Sequence, residues 1–360
     1  MTFHQSTEAY ETWLGSQLEI VPEDLKEKHA LMKEAIFPFL RATYYRWAQL
    51  WPQVCPDLNT APAVLAIGDL HIENFGTWRD AEGRLVWGVN DFDEADFMPY
   101  TADLVRLAVS AHVSIDSGRL NVGYGEACQS LLGGYQECLE AGGQPYVLSE
   151  KHQWLSELVE LRNPVTFWDK LNALTDFKGH VPSTAKKALE QLLPPGFTAY
   201  RVAHRKAGLG SLGRQRFVAL GEYRGGHICR EAKALAPSAW WWAQTTAAKK
   251  GSAKSTEPIH CQQALDSSVR SYDPLVRVAD AWVVRRLAPD CAKIELSSVP
   301  REKDKTRLLR AMGWETANIH LGSKNAPAIL ADLKKKDVHW LHEGADRMKA
   351  ATLADWQEWK

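Results

Sequence analysis

The sequence lacks an excess of charge of either sign, because 43 lysines and arginines are balanced by 44 aspartates and glutamates. A chain so close to neutral has no excess of positive charge that would favour binding to nucleic acid or to an anionic membrane. It contains no apolar run near the roughly 18 residues that a membrane helix needs. The opening stretch "MTFHQSTEAYETWLGSQ" lacks the basic and apolar segments of a signal peptide. We therefore expect a cytoplasmic protein that binds neither nucleic acid nor membrane.

Closely spaced cysteine pairs are also missing, which argues against a zinc ribbon. A disulfide framework is not expected in a chain of 360 residues, so free thiols in a reducing compartment are the simplest interpretation. The chain is long enough for one large domain or two modest ones. The six cysteines are Cys55, Cys128, Cys138, Cys229, Cys261 and Cys291.

Helix and strand patterns occur in separate blocks along the chain. Apolar residues at intervals of three and four predict helices in three blocks, namely 6–50, 121–195 and 304–360. Strand patterns lie between them, at 63–68, 83–96, 198–208, 214–235 and in "WVVRRLA". The segment 249–258 is small, polar and cationic, as a linker is. These blocks predict an α+β fold with segregated sheets rather than regular βαβ alternation.

Two polar segments each follow a predicted strand. The first is "GDLHIEN" at 68–74, and the second is "NDFDE" at 90–94. A hairpin-like pair of strands would bring both ends to one place, where oxygen ligands would gather. Such ligands suit Mg²⁺, which also takes oxygens from a substrate phosphate. The candidate metal ligands are Asn74, Asp91 and Asp93.

The spacing Asp-x-x-x-x-Asn, here Asp69 and Asn74, has a specific use in phosphoryl transfer. The aspartate orients the acceptor hydroxyl or accepts its proton, the asparagine holds a metal ion, and a later Asp-Phe aspartate holds the metal that bridges the phosphates. Acidic residues after strands are often plain turn formers. Two such loops in the right order favour the functional interpretation, while the roles of Glu73, Asp93 and Glu94 stay open.

The two segments resemble the catalytic and metal-binding loops of the protein-kinase-like superfamily, most closely its aminoglycoside- and choline-kinase branch. The resemblance implies that Asp69 is the catalytic aspartate, and that Asn74 and Asp91 bind metal. It implies that His71 supports the loop. It also implies that Asp103, in "PYTADLVRLA", braces the catalytic loop.

Longer segments resemble the bacterial domain-of-unknown-function 2252 family. They are "FPFLRATYYRW", "GDLHIENFGTW", "GRLVWGVNDFDEADFMPYTADLVRLA" and "GLGSLGRQRFVAL". The resemblance covers most of the chain, and the family name carries no established substrate.

The glycine-rich segment "GLGSLG" lies between two predicted strands. A dinucleotide-binding fold needs a helix after the glycines, and a P-loop needs Lys-Ser/Thr where Arg214-Gln215 stands. Strand, glycine loop and strand is the kinase arrangement, in which backbone N–H groups cover the phosphates. The loop follows the catalytic segment, so the order predicts a circularly permuted kinase-like fold. The candidate nucleotide-binding residues are Gly208, Gly210, Ser211 and Gly213.

A phosphate-binding cation is expected in "GGHICREAKAL". The resembled family usually shows Lys-Glu-Ala there, whereas this chain has Arg230-Glu231-Ala232. Arg230 is the first choice and Lys233 the second, and strand alternation should direct them to opposite faces. Three further arginines, Arg41, Arg285 and Arg286, are equally suited to phosphate contacts and surface ion pairs.

These features predict a helical lobe at 1–195 with the catalytic and metal-binding loops. They also predict a small antiparallel nucleotide-binding sheet lobe at 196–300 and a helical segment at 301–360. The expected function is ATP- and Mg²⁺-dependent phosphoryl transfer to an unknown small-molecule or protein acceptor. The alternatives are a catalytically weak nucleotide-binding regulator, an AMP-transferring enzyme, and a metal-dependent phosphoesterase using Asp69, His71, Asp91 and Asp93.

Overall fold

A computed structural model of the chain describes residues 1–246, 258–294, 299 and 301–360. Nearly all of the predicted linker at 249–258 lies outside these residues. The helices are α1 Phe3–Gln17, α2 Pro22–Glu34, α3 Ile36–Ala42, α4 Tyr44–Val54, α5 Tyr100–Asp116, α6 Tyr124–Ala141, α7 Leu148–Lys151, α8 Gln153–Ser156, α9 Pro164–Asn172, α10 Ser183–Glu190, α11 Ala239–Thr246, α12 Cys261–Ser267, α13 Glu302–His320, α14 Ala326–Leu333 and α15 Trp340–Trp359. None of these helices is both long and apolar enough to cross a membrane.

The strands of the described residues form three small antiparallel sheets, so the α+β class predicted from the sequence is confirmed. The orders are β1-β4, β2-β3-β5 and β6-β7-β8-β10-β9. The strands are β1 Ala63–Ala66, β2 Phe75–Arg79, β3 Leu85–Val89, β4 Asp96–Pro99, β5 Tyr146–Val147, β6 Arg201–His204, β7 Arg216–Tyr223, β8 Gly226–Ala234, β9 Val276–Ala279 and β10 Trp282–Arg286.

The two polar segments meet through a different strand pairing from the one expected. The strands before them, β1 and β3, do not pair with each other; β1 pairs with β4, and β3 pairs with β2. Residues 67–74 connect β1 to β2, and residues 90–95 connect β3 to β4. Because both connections run between the same two strand pairs, they lie side by side. Gly76 allows the close approach, since a Cβ there would lie 2.2 Å from Nδ2 of Asn90.

Helix α5 lies at the centre of the helical part. All residues from 100 to 114 are buried, as expected of a helix surrounded by other elements. Its apolar residues belong to one large core with side chains of α1, α4, α6, α13 and α15. The polar residues that α5 also buries, including Asp103 and Arg106, must therefore find partners inside the protein.

The five-stranded sheet has two chemically different faces. One face packs Phe217, Ala232 and Val284 against α10 in a small apolar core. The opposite face carries Glu231 and Lys233, which lie two residues apart on β8. This alternation places Glu231 and Lys233 on the face toward the polar loops.

Helices α6 and α13 cross with backbone contact, which two glycines permit. A Cβ on Gly134 would lie 1.9 Å from the carbonyl oxygen of Arg310, and one on Gly313 would lie 1.9 Å from that of Leu131.

We predict that Gly134→Ala or Gly313→Ala lowers the free energy of unfolding by about 2 kcal/mol or more, because overpacking forces the helices apart.

Gly125→Ala, also on α6, is the matched control, since a Cβ there meets nothing within 4 Å. It should leave the free energy of unfolding unchanged or raise it by up to about 1 kcal/mol. Urea unfolding followed by circular dichroism measures all three variants. Equal effects at positions 125 and 134 would contradict the crossing geometry.

Candidate functional site

Both polar loops and the glycine loop line one cleft. Its smaller compartment is lined by Asp69 and Asn74 of the first loop, Asp91 of the second loop, and Gly208 and Gly210. A Cβ on Gly210 would lie only 3.4 Å from Oδ2 of Asp69. The glycine loop is therefore next to the Asp-x-x-x-x-Asn segment in space, although the two are far apart in the chain.

The carboxylate of Asp69 is held by an arginine that the sequence reasoning missed. The buried Arg106 donates from Nη2 to Oδ1 of Asp69 at 2.6 Å and to the carbonyl oxygen of Leu40 at 2.6 Å. Its guanidinium also lies near the rings of Tyr44 and Trp47. Burial raises the pKa of Asp69 above its ordinary value, and the charge and hydrogen bond of Arg106 offset only part of that rise. An arginine in an otherwise apolar helix was the available signal.

The backbone before Asp69 is fixed by Asp103 of α5. The Asp103 carboxylate accepts the N–H of Ile67 at 2.7 Å and that of Gly68 at 2.9 Å, and it contacts Nε2 of His320 at 3.0 Å. Asp103 is fully buried. It is thus a positioning residue, in the bracing role that the resemblance implied.

His71 lies inside the first loop and supports it. Its Nδ1 accepts the N–H of Glu73 at 3.1 Å, and its ring meets the edge of Phe37. Burial and the nearby charge of Arg41 lower the pKa of His71 well below its ordinary value. The imidazole is therefore neutral at pH 7. Nδ2 of Asn74 donates to the carbonyl oxygen of Asp69 at 2.8 Å, closing the same loop.

Lys233 joins the sheet to the second loop. Its Nζ lies 3.3 Å from Oδ1 of Asp91 and also contacts Asp93. Burial raises the pKa of Asp91, but the charges of Lys233 and Arg285 lower it more, so it lies well below its usual range. Burial and the neighbouring Asp91 raise the pKa of Asp93. Asp91 keeps 41% of its side chain exposed to the cleft, while Lys233 is buried.

Arg230, the first choice for a phosphate contact, does not reach the cleft. It lies on the opposite face of β8 from Lys233, because strand side chains alternate and the two are three residues apart. Its Nε donates to the carbonyl oxygen of Leu192 at 2.8 Å, and its Nη1 donates to that of Cys229 at 3.0 Å. The choice of Arg230 is corrected by this geometry, because of the two candidates it is Lys233, the second choice, that lines the cleft.

Glu231 gathers three arginines beside Lys233. Its carboxylate forms ion pairs with Arg205, with Arg216 at 2.7 Å and with Arg285 at 2.8 Å. Arg216 also donates to Oγ of Ser211 at 2.6 Å, which connects this network to the glycine loop. Burial by itself would raise the pKa of the Glu231 carboxyl. The three guanidinium groups have the larger effect and hold this pKa well below its ordinary value.

The glycine loop has the backbone that its composition requires. Gly208 and Gly213 have positive φ angles of 74° and 95°, in the region that favours glycine. A Cβ on Gly210 would lie 2.9 Å from the carbonyl oxygen of Arg41. Nζ of Lys28 donates to the carbonyl oxygen of Gly210 at 3.2 Å, and burial lowers the pKa of this lysine to about 8. Sequence reasoning did not select Lys28.

The larger compartment of the cleft lies under the charged face of the sheet. It encloses about 1340 Å³ of empty space, part of it open to solvent. It shares Arg41, Asn74, Asp91, Asp93 and Gly208 with the smaller compartment. Cations outnumber acids along its wall, as a binding site for several phosphate groups requires. These cations are Arg41, Arg162, Arg205, Arg216, Lys233, Arg270, Arg285, Arg286 and Lys293.

Two residues that sequence reasoning left open belong to ion pairs. Glu73 pairs with Arg41 at 2.6 Å, at the junction of the two compartments. Glu94 pairs with Arg214 at 2.6 Å and accepts the N–H of Ala239 at 2.6 Å. These contacts join the polar loops to α3 and to the segment after the glycine loop.

The loop at 68–74, the carboxylate-containing loop at 90–94 and the glycine loop surround one cleft, which is a candidate phosphate-binding site. The chain belongs to the bacterial family described as uncharacterized protein conserved in bacteria (DUF2252), which matches residues 20–166 and 169–360. No curated protein and no solved structure matches the chain.

Replacing the buried Glu231 carboxylate tests the arginine network. We predict that Glu231→Gln lowers the free energy of unfolding at pH 7 by about 3 kcal/mol, because three guanidinium groups lose their countercharge. The folded pKa lies below the unfolded value of about 4.5. The stability from ionised Glu231 is therefore present above pH 4.5 and is lost as the pH falls toward the folded pKa.

The difference between wild type and Glu231→Gln should therefore shrink below about pH 4.5, as urea unfolding at several pH values would show. Glu222→Gln is the control, since Glu222 lies exposed on β7 of the same sheet. It should change stability by less than about 0.5 kcal/mol. A pH-independent difference for Glu231→Gln would contradict the charge argument.

Proposed function

We propose that the protein is an ATP- and Mg²⁺-dependent phosphotransferase with a circularly permuted protein-kinase-like fold. The observation that carries the proposal is the convergence of Asp69, Asn74, Asp91 and the glycine loop on one cleft. Three segments that are separated along the sequence supply the parts that phosphoryl transfer needs, namely a base, metal ligands and a phosphate cover.

The larger compartment suits the nucleotide. Its empty space, part of it open to solvent, runs from Asp91 and Gly208 along the charged face of the sheet, where an extended nucleotide and its phosphates would lie. The apolar side chains of Val283 and Leu287 and the ring of Phe167 offer contacts to a base. Lys233 and Arg285 lie on the sheet face toward Asp91, where the phosphates would be held.

The smaller compartment suits the acceptor, because Asp69 lies there. The acceptor hydroxyl oxygen would form the new bond to the γ-phosphorus while the bond from that phosphorus to the bridging oxygen of ADP breaks. The hydroxyl proton would pass to Asp69, which Arg106 keeps oriented. Tyr10 and Tyr45 line this compartment and would limit the size of the group that enters.

The side chains of the cleft fit a hard cation. Asn74, Asp91 and Asp93 supply amide and carboxylate oxygens, which Mg²⁺ prefers. When bound, Mg²⁺ would neutralise charge on the phosphate oxygens. The contact of Lys233 with Asp91 and Asp93 supports this assignment, since it shows that these carboxylates already bind a cationic group.

Three alternatives predict different products from the same cleft. A nucleotide-binding regulator would bind ATP without turnover, and an AMP-transferring enzyme would add AMP to its target. A metal-dependent phosphoesterase would hydrolyse phosphate esters without ATP. The presence of Lys233 beside Asp91 removes the main support for the regulator, which was the replacement of lysine by Arg230.

The proposal places the reaction in the cytoplasm. All six cysteines are free thiols in the structure, as expected in a reducing compartment.

Asp91→Asn tests the metal assignment, and Asp93 remains in this variant to pair with the buried Lys233. We predict that Mg²⁺ strengthens ATP binding to the wild type at least tenfold, and that the variant loses this gain. In EDTA, where Mg²⁺ is absent, Asp91→Asn should bind ATP at least as tightly as the wild type, because the substitution removes a negative charge near the phosphates. Isothermal titration with ATP, with and without Mg²⁺, measures both.

The control is Asp280→Asn, the same change at an exposed turn between β9 and β10. Asp280 has a φ angle of 52°, which asparagine tolerates. This variant should bind Mg²⁺–ATP like the wild type. An unchanged Mg²⁺ effect in Asp91→Asn would refute the metal assignment. Mass analysis of products formed with labelled ATP and cell extract then separates phosphoryl transfer, AMP transfer and binding alone.

The pair Lys233→Met and Arg230→Met tests which cation holds the phosphates. Lys233 lies at the cleft, whereas Arg230 points to the other face of the sheet. We predict a loss of Mg²⁺–ATP affinity of at least tenfold for Lys233→Met and less than threefold for Arg230→Met. Affinity is measured by isothermal titration on variants whose thermal unfolding shows them folded. The opposite ranking would overturn the assignment of Lys233.

A further inference from the structure

A cluster of metal-binding side chains lies in the helical part, among residues that the cleft does not use. It consists of His112 on α5, Cys128 on α6 and His342 on α15. One potential ligand atom from each residue lies within 4.8 Å of the other two. His112 and Cys128 are buried, so their polar atoms need partners inside the protein.

The spacing between two of these atoms matches a tetrahedral metal site. Zinc bonds of about 2.3 Å to sulfur and about 2.0–2.1 Å to nitrogen place adjacent ligand atoms roughly 3.3–3.6 Å apart. Sγ of Cys128 lies 3.4 Å from Nε2 of His112. The potential ligand atom of His342, on α15, lies within 4.8 Å of both of these atoms, and the His342 side chain is 32% exposed.

One carboxylate lies near both imidazoles, close to ring nitrogens that would not bind the ion, where a carboxylate can orient metal-binding histidines. Oδ1 of Asp346 lies 3.3 Å from Nδ1 of His112, and its Oδ2 lies 3.5 Å from Nε2 of His342. The other ring nitrogen of His112, Nε2, is the one that contacts Cys128. Nδ1 of His342 is buried and has no hydrogen-bond partner among the described residues.

We propose that Nε2 of His112, Sγ of Cys128 and Nδ1 of His342 bind one zinc-class divalent cation. The Cys128 thiol gives its proton to solvent as the thiolate binds, and a water molecule completes the tetrahedron. The ion ties α15 to α5 and α6. Since α5 also carries Asp103 and Arg106, the ion holds the helix that positions the cleft. This site stands independently of the phosphotransferase proposal.

The nearest cation does not oppose binding strongly. Nζ of Lys349 lies 3.1 Å from Oδ2 of Asp116 and over the ring of Tyr124, so its charge is paired. The half-exposed His342 gives the ion access from solvent. The competing interpretation is an ordinary S–H···N hydrogen bond between Cys128 and His112, which binds no metal.

Cobalt titration of the chelator-treated full chain distinguishes the two interpretations. We expect one equivalent of Co²⁺ to bind with a thiolate-to-metal charge-transfer band, and Zn²⁺ to displace it. Cys128→Ser should lose the band, and His342→Ala should weaken Co²⁺ binding at least tenfold. Cys138→Ser is the matched control, because Cys138 is also buried on α6 but bonds to Asn318 instead.

Thermal unfolding supplies a second measurement. Zn²⁺ should raise the midpoint of the wild type and of Cys138→Ser, and should leave that of His342→Ala unchanged. His342 is half-exposed, so this variant remains informative if Cys128→Ser fails to fold. Absence of stoichiometric Co²⁺ binding by the wild type, or binding that Cys128→Ser and His342→Ala leave intact, would overturn the proposal.

Discussion

The contact of Lys233 with Asp91 and Asp93 is the interaction on which the cleft depends. A buried ammonium is costly unless carboxylates accompany it. Lys233 lies on β8, and the two aspartates lie between β3 and β4, so this requirement fixes the five-stranded sheet against the polar loops. The charged face of the sheet is thereby placed beside the loop that carries Asp91.

A second constraint passes through α5. This helix is buried on every side, yet it carries Asp103 and Arg106, which hold the backbone before Asp69 and its carboxylate. Both contacts arise from one helix, so helix packing acts together with the bonds inside the loop to set the geometry of residues 68–74. His112 of the proposed zinc site is also on α5, while Cys128 and His342 lie on α6 and α15.

The local motifs were readable because their chemistry depends on spacing along the chain. The order of Asp69, Asn74 and Asp91 and the glycine loop between two strands needed only neighbouring residues to be recognised. Arg230 shows where such reasoning fails. A phosphate-binding cation was expected in this segment, and Arg230 is basic. Strand alternation and the packing of α10 nevertheless direct its side chain away from the cleft. Arg106 and Lys28 were missed because their partners are distant in sequence.

The sequence by itself determined the α+β class, which follows from short-range periodicity, and the family, which follows from the resemblance of its motif segments. It also placed the residues with oxygen and glycine chemistry next to predicted strands. The tertiary structure decided which strands pair, which face of β8 meets Asp91, and which buried cations balance the carboxylates. These outcomes depend on contacts between segments far apart in the chain. Burial makes such contacts obligatory for charged groups, but no local pattern records which partner satisfies them.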